Sequence, residues 1–269
     1  MREGARIAVA AGGDGTVNAV ASVVAGTETA LGVLPLGTLN HFAKDLGIPL
    51  DLAQAVETIV RGEVRRVDVA EVNGRLFVNN SSVGVYPTVV RKREAQQRLG
   101  KGKWSAFAHA ILTVVGRYPL IRVTVEVDGR AITRKTSLVF IGNNEYELNG
   151  LRIGKRSRLD AGKLAAYLPH GVGRWRIVWF ALRGLFGRLR DGKDFDVFHA
   201  AELSIVVNRP KMTVATDGEV SVLDMPLEYR IRPGGLAVVA PPLVPAGASA
   251  AGVAKEVAAA ASAPPAGVP

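Results

Sequence analysis

Two short glycine-containing loops near the start of the chain have the composition of anion-binding turns. The first loop is Gly12–Thr16 (GGDGT) and the second loop is Pro35–Asn40 (PLGTLN). Each loop follows a short apolar run, Ile7–Ala10 or Leu31–Leu34, which predicts a buried strand of a parallel sheet. Glycine allows positive φ angles and lets backbone N–H groups approach an anion closely. The pattern therefore predicts that both loops handle phosphate.

The segment after the first loop is predicted to be helical from Val17 to Ala25. The N-terminus of such a helix places unpaired backbone N–H groups against a bound anion. Asp14 is itself an anion and cannot bind phosphate directly, so we expect it to hold Mg²⁺ or to point at a hydroxyl group. Taken alone, either loop is also compatible with an ordinary strand-to-helix turn of an α/β protein.

Three motifs occur along the chain in a characteristic order. They are the first loop, the second loop with its extension His41–Pro49, and the segment Thr216–Glu219 (TDGE). In this order they resemble the catalytic domain family of soluble diacylglycerol kinases and sphingosine kinases, whose nucleotide loop reads Gly-Gly-Asp-Gly-Thr. The resemblance implies an α/β plus mainly β fold of the NAD kinase and diacylglycerol kinase type. In that fold a nucleotide-binding α/β domain precedes an antiparallel β-sandwich-like domain.

The resemblance also implies an ATP- and Mg²⁺-dependent enzyme that transfers the γ-phosphoryl group to a lipid hydroxyl. The lipid would be diacylglycerol, a sphingoid base or a related molecule. Glu219 matches the family's proton acceptor, and Asp217 and Asp14 match its carboxylate and Mg²⁺ network. The residues that the resemblance implies for ATP binding are Gly12, Gly13, Asp14, Gly15, Thr16, Val17, Asn18, Gly37, Thr38 and Asn40. Asp217-Gly218 is also a typical two-residue hairpin turn, which is the structural alternative for this motif.

The chain departs from the family pattern at two positions that concern metal binding. His41 stands where many relatives have an aspartate after the second loop, and imidazole is not the hard oxygen ligand that Mg²⁺ prefers. Some relatives carry an Asp-Gly step at a structural Mg²⁺ site, and the comparable stretch here is Arg158–Gly162, with Asp160 one position away from the pattern. Asp14 and Asp160 are the candidate Mg²⁺ ligands, and the second metal site stays open.

The composition is that of an ordinary soluble globular protein. The chain has 269 residues, of which 48% are hydrophobic and 22% charged, and this length suffices for two modest domains. It lacks a run of about 18 apolar residues and a signal-peptide pattern, which favours a cytoplasmic location. The absence of cysteine excludes disulfides and thiolate metal sites, and the four histidines lack the spacing of zinc ligands.

The formal net charge of +10 predicts attraction to an anionic partner such as a nucleotide or an acidic membrane surface. The basic residues cluster around 91–103, 152–158 and 174–190, where a solvated charged face is the default interpretation. The third cluster also fits an amphipathic helix at an anionic membrane interface, with a partner-binding or core helix as the alternative. Its proposed interface residues are Trp175, Arg176, Trp179, Arg183 and Arg190.

The organisation along the chain predicts three segments. Residues 1–62 form a partial nucleotide-binding α/β domain, which ends with a helix at Leu52–Arg61 capped by Asp51. Residues 63–241 form a β-rich lipid-substrate domain, and residues 242–269 form a disordered Ala/Pro tail. Hairpins are predicted at Asn73-Gly74 and Asp128-Gly129, and helices around 85–99 and 104–117. The predicted strands are Arg66–Val72, Arg75–Asn79, Val123–Val127, Ala131–Ile141, Lys163–Leu168, Ala201–Val207, Lys211–Ala215, Leu227–Ile231 and Leu236–Val239.

The family that the chain resembles has additional α/β units before its glycine loop, and nothing in this sequence corresponds to them. We interpret the chain as apparently truncated at its N-terminus, or else as a pared-down member of the family. A parallel sheet without its outer strands exposes hydrogen-bonding edges and one uncovered face. The sequence therefore predicts poor solubility or low activity in isolation.

Two other functions compete with a lipid kinase. An NAD kinase-like enzyme shares the Gly-Gly-Asp-Gly turn, but its soluble substrate would leave the helix of arginines and tryptophans unexplained. A catalytically inactive nucleotide- or lipid-binding relative would bind ATP without turnover. Nucleic acid is not an expected partner, because the basic clusters lack interleaved stacking aromatics. The identity of the lipid and the oligomeric state stay open.

Overall fold

The computed structural model describes residues 4–84, 120–127, 129–149, 152–169 and 195–242. Its first part is an α/β unit. The elements of this unit are strand β1 (Ile7–Gly12), helix α1 (Asp14–Val24), strand β2 (Ala30–Pro35) and helices α2 (His41–Asp45) and α3 (Leu52–Arg61). As predicted, β1 and β2 pair in parallel, from Ile7 opposite Ala30 to Gly12 opposite Pro35. Because both strands end in register, the two glycine loops meet at the carboxyl end of the sheet.

Strand β1 is less buried than its sequence predicts. Ile7 and Val9 are 41% and 48% exposed, whereas Ala10 is buried. Among the described strands β1 pairs with β2 alone, and the face of β1 that carries Ile7 and Val9 is only partly covered. The prediction of a buried strand is correct for β2, most of which is buried, and wrong for the outer face of β1.

Helix α3 confirms its predicted bounds of Leu52–Arg61. The Asp51 carboxylate accepts a hydrogen bond from the backbone N–H of Gln54 at 3.0 Å, which is the expected cap. Ala55 and Thr58 are the buried side chains of the helix. The helix thereby covers one face of β2.

The chain continues as strands. Within the described residues these are, in chain order, β3 (Glu63–Val72), β4 (Arg75–Phe77), β5 (Asn80–Gly84), β6 (Ile121–Val127), β7 (Arg130–Thr136), β8 (Leu138–Asn143), β9 (Tyr146–Asn149), β10 (Arg152–Arg156), β11 (Leu164–Pro169), β12 (Phe195–Ala200), β13 (Glu202–Val207), β14 (Lys211–Thr216), β15 (Glu219–Asp224) and β16 (Leu227–Ala240).

These strands form two large sheets and one small one. The eight-stranded sheet runs β1-β2-β16-β13-β6-β7, with β3 paired to β16 and β4 to β3. The six-stranded sheet runs β12-β11-β8-β5-β14-β15 and is antiparallel throughout, while β9 and β10 pair separately. Buried side chains such as Ile205 and Leu227 of the larger sheet pack with Ile141 and Leu164 of the smaller one. The predicted antiparallel β-sandwich after an α/β domain is confirmed.

Two strand predictions are wrong in opposite ways. The predicted strand Ala131–Ile141 divides at Ser137, so that β7 belongs to the larger sheet and β8 to the smaller one. The predicted pair Leu227–Ile231 and Leu236–Val239 is instead the single strand β16, which has a register irregularity between Arg232 and Leu236. Hydrophobic pattern alone detects neither a change of sheet nor a strand that continues through a bulge.

Several strands were not predicted, and β5 shows why. Its sequence is polar, yet Ser81 and Ser82 are fully buried. The Ser81 hydroxyl lies 3.1 Å from the Tyr229 hydroxyl, so a hydrogen bond offsets the burial of a polar group. The predicted Asn73-Gly74 hairpin is confirmed by the pairing of β3 with β4. The second predicted hairpin is confirmed by Val127 opposite Arg130.

Strands β3 and β16 contribute to two separate cores. One core lies in the α/β unit and the other between the two large sheets. The side chains that β3 and β16 place in the α/β core are Val67, Val69, Leu236, Val238 and Ala240. Those that they place in the sandwich core are Ala70, Val72, Leu227, Tyr229 and Ile231.

Several predictions fall outside the described residues. They are the helices around 85–99 and 104–117, the interface residues Trp175, Arg176, Trp179, Arg183 and Arg190, and nearly all of the tail at 242–269. Within the part of the chain that the structure describes, no helix is both long enough and apolar enough to cross a bilayer.

Candidate active site

The two glycine loops lie in direct backbone contact. A Cβ atom on Gly37 would lie 2.3 Å from Gly13 Cα and 2.7 Å from Asn40 Oδ1. The backbone N–H of Leu36 donates to the carbonyl oxygen of Gly12 at 3.1 Å. The approach leaves no room for a side chain at Gly37, so the sequence needs glycine here. The loops consequently form one continuous backbone surface.

Helix α1 begins at this surface. Gly13 is its N-cap and offers no side-chain cap, so the first backbone N–H groups of the helix are available to an external acceptor. The N–H of Val17 donates to the carbonyl oxygen of Gly13 at 3.0 Å. Val17 and Asn18 are buried, and Asn18 Nδ2 lies 3.4 Å from the carbonyl oxygen of Leu76. The first turn of α1 therefore leaves its backbone N–H groups free for an acceptor, as the phosphate-binding prediction requires, while Val17 and Asn18 pack in the interior.

Asn40 closes the second loop on itself. Its Oδ1 accepts from the N–H of Gly37 at 3.0 Å, and its Nδ2 donates to the carbonyl oxygens of Gly37 at 2.8 Å and Pro35 at 3.2 Å. The residue adopts a left-handed conformation with φ of 51°, which asparagine tolerates well. Thr38 is exposed at the tip of the loop. Asn40 thus shapes the loop, and the side chain of Thr38 is exposed.

Asp14 connects the first loop to helix α2. Its carboxylate accepts from the backbone N–H groups of His41 at 3.2 Å and Phe42 at 3.1 Å. Asn79 Nδ2 lies 3.5 Å from Asp14 Oδ1. His41, which stands where many relatives have an aspartate, therefore contacts Asp14 through its backbone N–H group. Asp14 caps α2, a role that sequence spacing did not indicate.

The Asp-Gly-Glu motif forms the predicted hairpin turn and also lies at the site. Thr216 pairs with Glu219, and Asp217 and Gly218 have φ values of 48° and 88°, as a type I′ turn requires. The turn joins β14 to β15. The structural and functional interpretations of this motif are therefore compatible.

Asp217 is held by backbone N–H groups. Its carboxylate accepts from Val78 at 2.8 Å and from Asn79 and Asn80 at 2.9 Å each. Burial of the carboxyl group raises the pKa of Asp217 to about 6, although these N–H bonds and the charge of Arg156 act in the opposite direction. Asp217 fixes the hairpin to the segment between β4 and β5.

Glu219 lies beside the first loop. Its Oε1 is 3.8 Å from the point where a Cβ atom on Gly15 would lie, and the residue is exposed. Among the carboxylates that the motifs indicated, Glu219 is the one that faces the loop surface from the opposite domain. A phosphate on the loops and a hydroxyl group beside Glu219 would be neighbours.

Arg156 is a site component that the sequence analysis missed. It belongs to a basic cluster interpreted as a solvated face, but its side chain is fully buried and its Nε donates to Asp45 Oδ2 at 2.8 Å. The same guanidinium contacts the segment between β4 and β5. Burial raises the pKa of Asp45, against the opposing effect of Arg156. The two residues are far apart in sequence, so no local pattern could have paired them.

The proposed Mg²⁺ ligands lie in different settings. Asp160 is largely exposed and accepts from Arg158 Nε at 3.0 Å, a hydrogen bond that lowers the pKa of Asp160. Within the described ranges, no group of three or more histidine, cysteine, aspartate or glutamate side chains could hold a metal ion. Asp14 is the first residue of helix α1 and lies next to the two glycine loops. Its setting fits the usual mode of Mg²⁺ binding, in which one or two carboxylates act together with substrate phosphates.

The fold, an α/β unit followed by an antiparallel β-sandwich, is of the NAD kinase and diacylglycerol kinase type. Residues 1–72 match the Diacylglycerol kinase catalytic domain, and residues 81–240 match the YegS C-terminal NAD kinase beta sandwich-like domain. The chain belongs to the diacylglycerol kinase family that combines these two domains.

Individual relatives agree with this membership. A diacylglycerol kinase of Staphylococcus aureus (strain JH9) is 27% identical over 164 residues, which are 60% of this chain and 52% of that protein. The same figures hold for the diacylglycerol kinase of strain Newman. The chain thus spans about half the length of the curated relatives that it matches.

Solved structures are similar over most of the chain. A candidate diacylglycerol kinase from Bacillus anthracis str. Sterne has a TM-score of 0.68 at 26% identity, over 89% of this chain and 80% of that one. Yeast NADH kinase complexed with NADH has a TM-score of 0.51 at 14% identity, over 88% of this chain and 62% of that one. The latter similarity concerns the fold alone.

Proposed function

We propose that this protein is an ATP-dependent lipid kinase that transfers the γ-phosphoryl group of ATP to a lipid hydroxyl. The acceptor would be diacylglycerol, a sphingoid base or a related lipid. The observation that carries the proposal is the position of the Glu219 carboxylate beside Gly15, across from the joined glycine loops. The names of the Staphylococcus aureus relatives support the same reaction.

Phosphoryl transfer requires positioning and charge stabilisation more than covalent help from the protein. In the proposed reaction, backbone N–H groups of the loops hold the phosphates, and the exposed hydroxyl of Thr38 adds a contact. Glu219 accepts the proton of the lipid hydroxyl, whose oxygen forms the new bond to the γ-phosphorus. The bond between the γ-phosphorus and the bridging oxygen breaks, and ADP leaves. Asp217 serves as an anchor in this scheme, because its oxygens already accept three backbone N–H bonds.

Asp14 is the residue that we expect to hold Mg²⁺ together with the nucleotide. Its two oxygens each accept one backbone N–H bond, and a carboxylate oxygen can accept further partners. When bound, the ion would neutralise charge on the phosphates. Asp160 is proposed for a separate metal position.

The lipid acceptor suggests a cytoplasmic protein that associates peripherally with an anionic membrane surface. The net charge of +10 supports this proposal, because cationic surfaces are attracted to anionic lipids. The sequence motif around Trp175, Arg176, Trp179, Arg183 and Arg190 supplies a candidate interface. We propose that residues 1–62 bind the nucleotide, that residues 63–241 bind the lipid, and that residues 242–269 form a tail.

The test is radiolabelled phosphate transfer from ATP to a panel of lipids in anionic vesicles, with NAD⁺ as a separate acceptor and with ATP binding measured in parallel. We expect labelled lipid with the wild-type protein and nearly none with Glu219→Gln, at unchanged ATP affinity. Labelled NAD⁺ in place of lipid would identify an NAD kinase-like enzyme. ATP binding without any label would identify an inactive relative and contradict the proposal.

A further inference from the structure

Arg156 makes a buried four-way bridge behind the site. Its Nε donates to Asp45 Oδ2 at 2.8 Å, and its Nη1 donates to the carbonyl oxygens of Val78 at 2.7 Å and Asn143 at 3.0 Å. Its Nη2 donates to Asn79 Oδ1 at 2.9 Å. The side chains of Arg156 and Asp45 are 0% and 1% exposed. One guanidinium therefore joins helix α2, the segment between β4 and β5, and the end of β8.

The bridge is a poor device for stability alone. Removal of two charges from water is costly, and an apolar replacement of a buried ion pair is often equally stable. Asp45 Oδ1 is buried without a hydrogen-bond partner in the part of the chain that the structure describes, so the pair is incompletely satisfied. A planar group with donors in fixed directions is well suited to hold several acceptors in a defined arrangement.

Asn79 carries this arrangement into the site. With its Oδ1 held by Arg156, its Nδ2 points to Asp14 Oδ1 at 3.5 Å. Its backbone N–H donates to Asp217 Oδ1 at 2.9 Å. Without Arg156 the side-chain amide could rotate and turn an oxygen toward the Asp14 carboxylate, which would be repulsive. Arg156 thereby fixes the orientation of Asn79, a residue that contacts both Asp14 and Asp217.

The second route to the site runs through helix α2. Asp45 is the last residue of α2, and the first two residues of that helix, His41 and Phe42, donate their N–H groups to Asp14. Arg156 thus holds α2 at its C-terminal end while Asp14 holds it at its N-terminal end. Both routes therefore end at Asp14, and the route through Asn79 also reaches Asp217.

We propose that Arg156 is a positioning residue for the phosphoryl transfer described above, an inference that rests on that proposed function. It keeps the glycine loops and the hairpin of Glu219 in register, and it acts through Asn79 and Asp45 without touching a substrate. Arg156→Lys keeps the charge opposite Asp45, but a single ammonium group cannot reach all four acceptors. The paired variant Asp45→Asn with Arg156→Gln removes both charges and leaves no unpaired buried ion.

The experiment compares turnover, ATP affinity and thermal unfolding of wild type, Arg156→Lys, the paired variant and Lys155→Gln, an exposed basic neighbour. We expect both Arg156 variants to lose at least tenfold in kcat under conditions where they are fully folded. Lys155→Gln should match the wild type. Turnover within twofold of wild type in a folded Arg156 variant would show that the bridge has only a structural role and would overturn the inference.

Measurement of ATP binding distinguishes failure of the proposed kinase function from failure of the Arg156 inference. A wild-type protein that binds ATP but transfers no phosphate contradicts the kinase proposal, and the ATP Kd then decides the Arg156 inference. At least tenfold weaker ATP binding by folded Arg156→Lys supports positioning of the loops through α2 and Asp14. If the ATP Kd of folded Arg156→Lys equals that of the wild type, the Arg156 inference is overturned.

Discussion

The candidate site has two regions, which we call the floor and the rim. The floor consists of Arg156, Asp45, Asn79 and Asp217, and the rim consists of the first loop, Thr38 and Glu219. The carboxylates of the two regions lie in different environments, although Asp217 and Glu219 are only two positions apart. Asp217 accepts three backbone N–H bonds, whereas Glu219 is exposed beside Gly15. A carboxylate with occupied lone pairs holds a structure, and an open one is available to a proton. Asp217 lies in the tight turn itself, whereas Glu219 is the first residue of strand β15, and this difference in position separates the two roles.

Among the variants that test the difference between rim and floor, we expect the largest effect from Glu219→Gln, at the rim. If the open carboxylate accepts the proton, turnover should fall at least about 100-fold, the usual scale for loss of general base catalysis. The free energy of unfolding should stay within about 0.5 kcal/mol, because Glu219 is exposed. The exposed Glu126→Gln is the matched control. Turnover within threefold of wild type would remove Glu219 from the mechanism.

The floor is tested by the pH dependence of stability. With a folded pKa of about 6 against an ordinary value of 3.8, Asp217 binds its proton more tightly in the folded state. Its contribution to stability should be greatest below pH 4 and fall by about 2 kcal/mol as the pH rises to 6, out of about 3 kcal/mol in total at 1.36 kcal/mol per pKa unit. Denaturant unfolding between pH 4 and 7 measures this slope. Asp217→Asn should flatten it, and an unchanged slope would contradict the assignment.

The contact between the loops is tested by Gly37→Ala. The new Cβ atom would lie 2.3 Å from Gly13 Cα, and a backbone atom cannot rotate away. We expect the loops to separate and ATP affinity to fall about tenfold, or about 1.4 kcal/mol. Gly15→Ala is the comparison for folding, because its nearest neighbour would be Glu219 Oε1 at 3.8 Å. Equal ATP affinity of wild type and Gly37→Ala, measured by calorimetry, would show that the contact is dispensable.

The smallest effect is expected at Asp160, outside both regions. Asp160→Asn removes an exposed ion pair with Arg158, and such surface pairs contribute little, so the free energy of unfolding should be nearly unchanged. The Mg²⁺ concentration for half-maximal turnover should rise about twofold, since magnesium sites usually draw on more than one oxygen ligand. A tenfold rise would place Asp160 among the principal Mg²⁺ ligands.

The candidate residues of the rim, together with Asp217, could be proposed from sequence, and the other residues of the floor could not. The residues of the first loop and of Thr216–Glu219 lie within short segments, where glycine and the Asp-Gly step leave a local signal. Arg156 and Asp45 are separated by 111 positions, and their contact depends on the packing of β10 against α2. Charge patterning placed Arg156 in solvent, because a buried arginine has no distinct sequence signature. The exposed face of β1 was not predicted, because an apolar run does not reveal whether other elements cover both faces of a strand.

The shared strands β3 and β16 have a consequence for how the molecule unfolds. Each supplies side chains to both cores, so separating the α/β unit from the sandwich would require breaking strands rather than a linker. Unfolding of either core would unfold part of β3 and β16, the strands that also supply side chains to the other core. We therefore expect the two cores to behave as one cooperative unit, with a single calorimetric transition whose van't Hoff and calorimetric enthalpies agree.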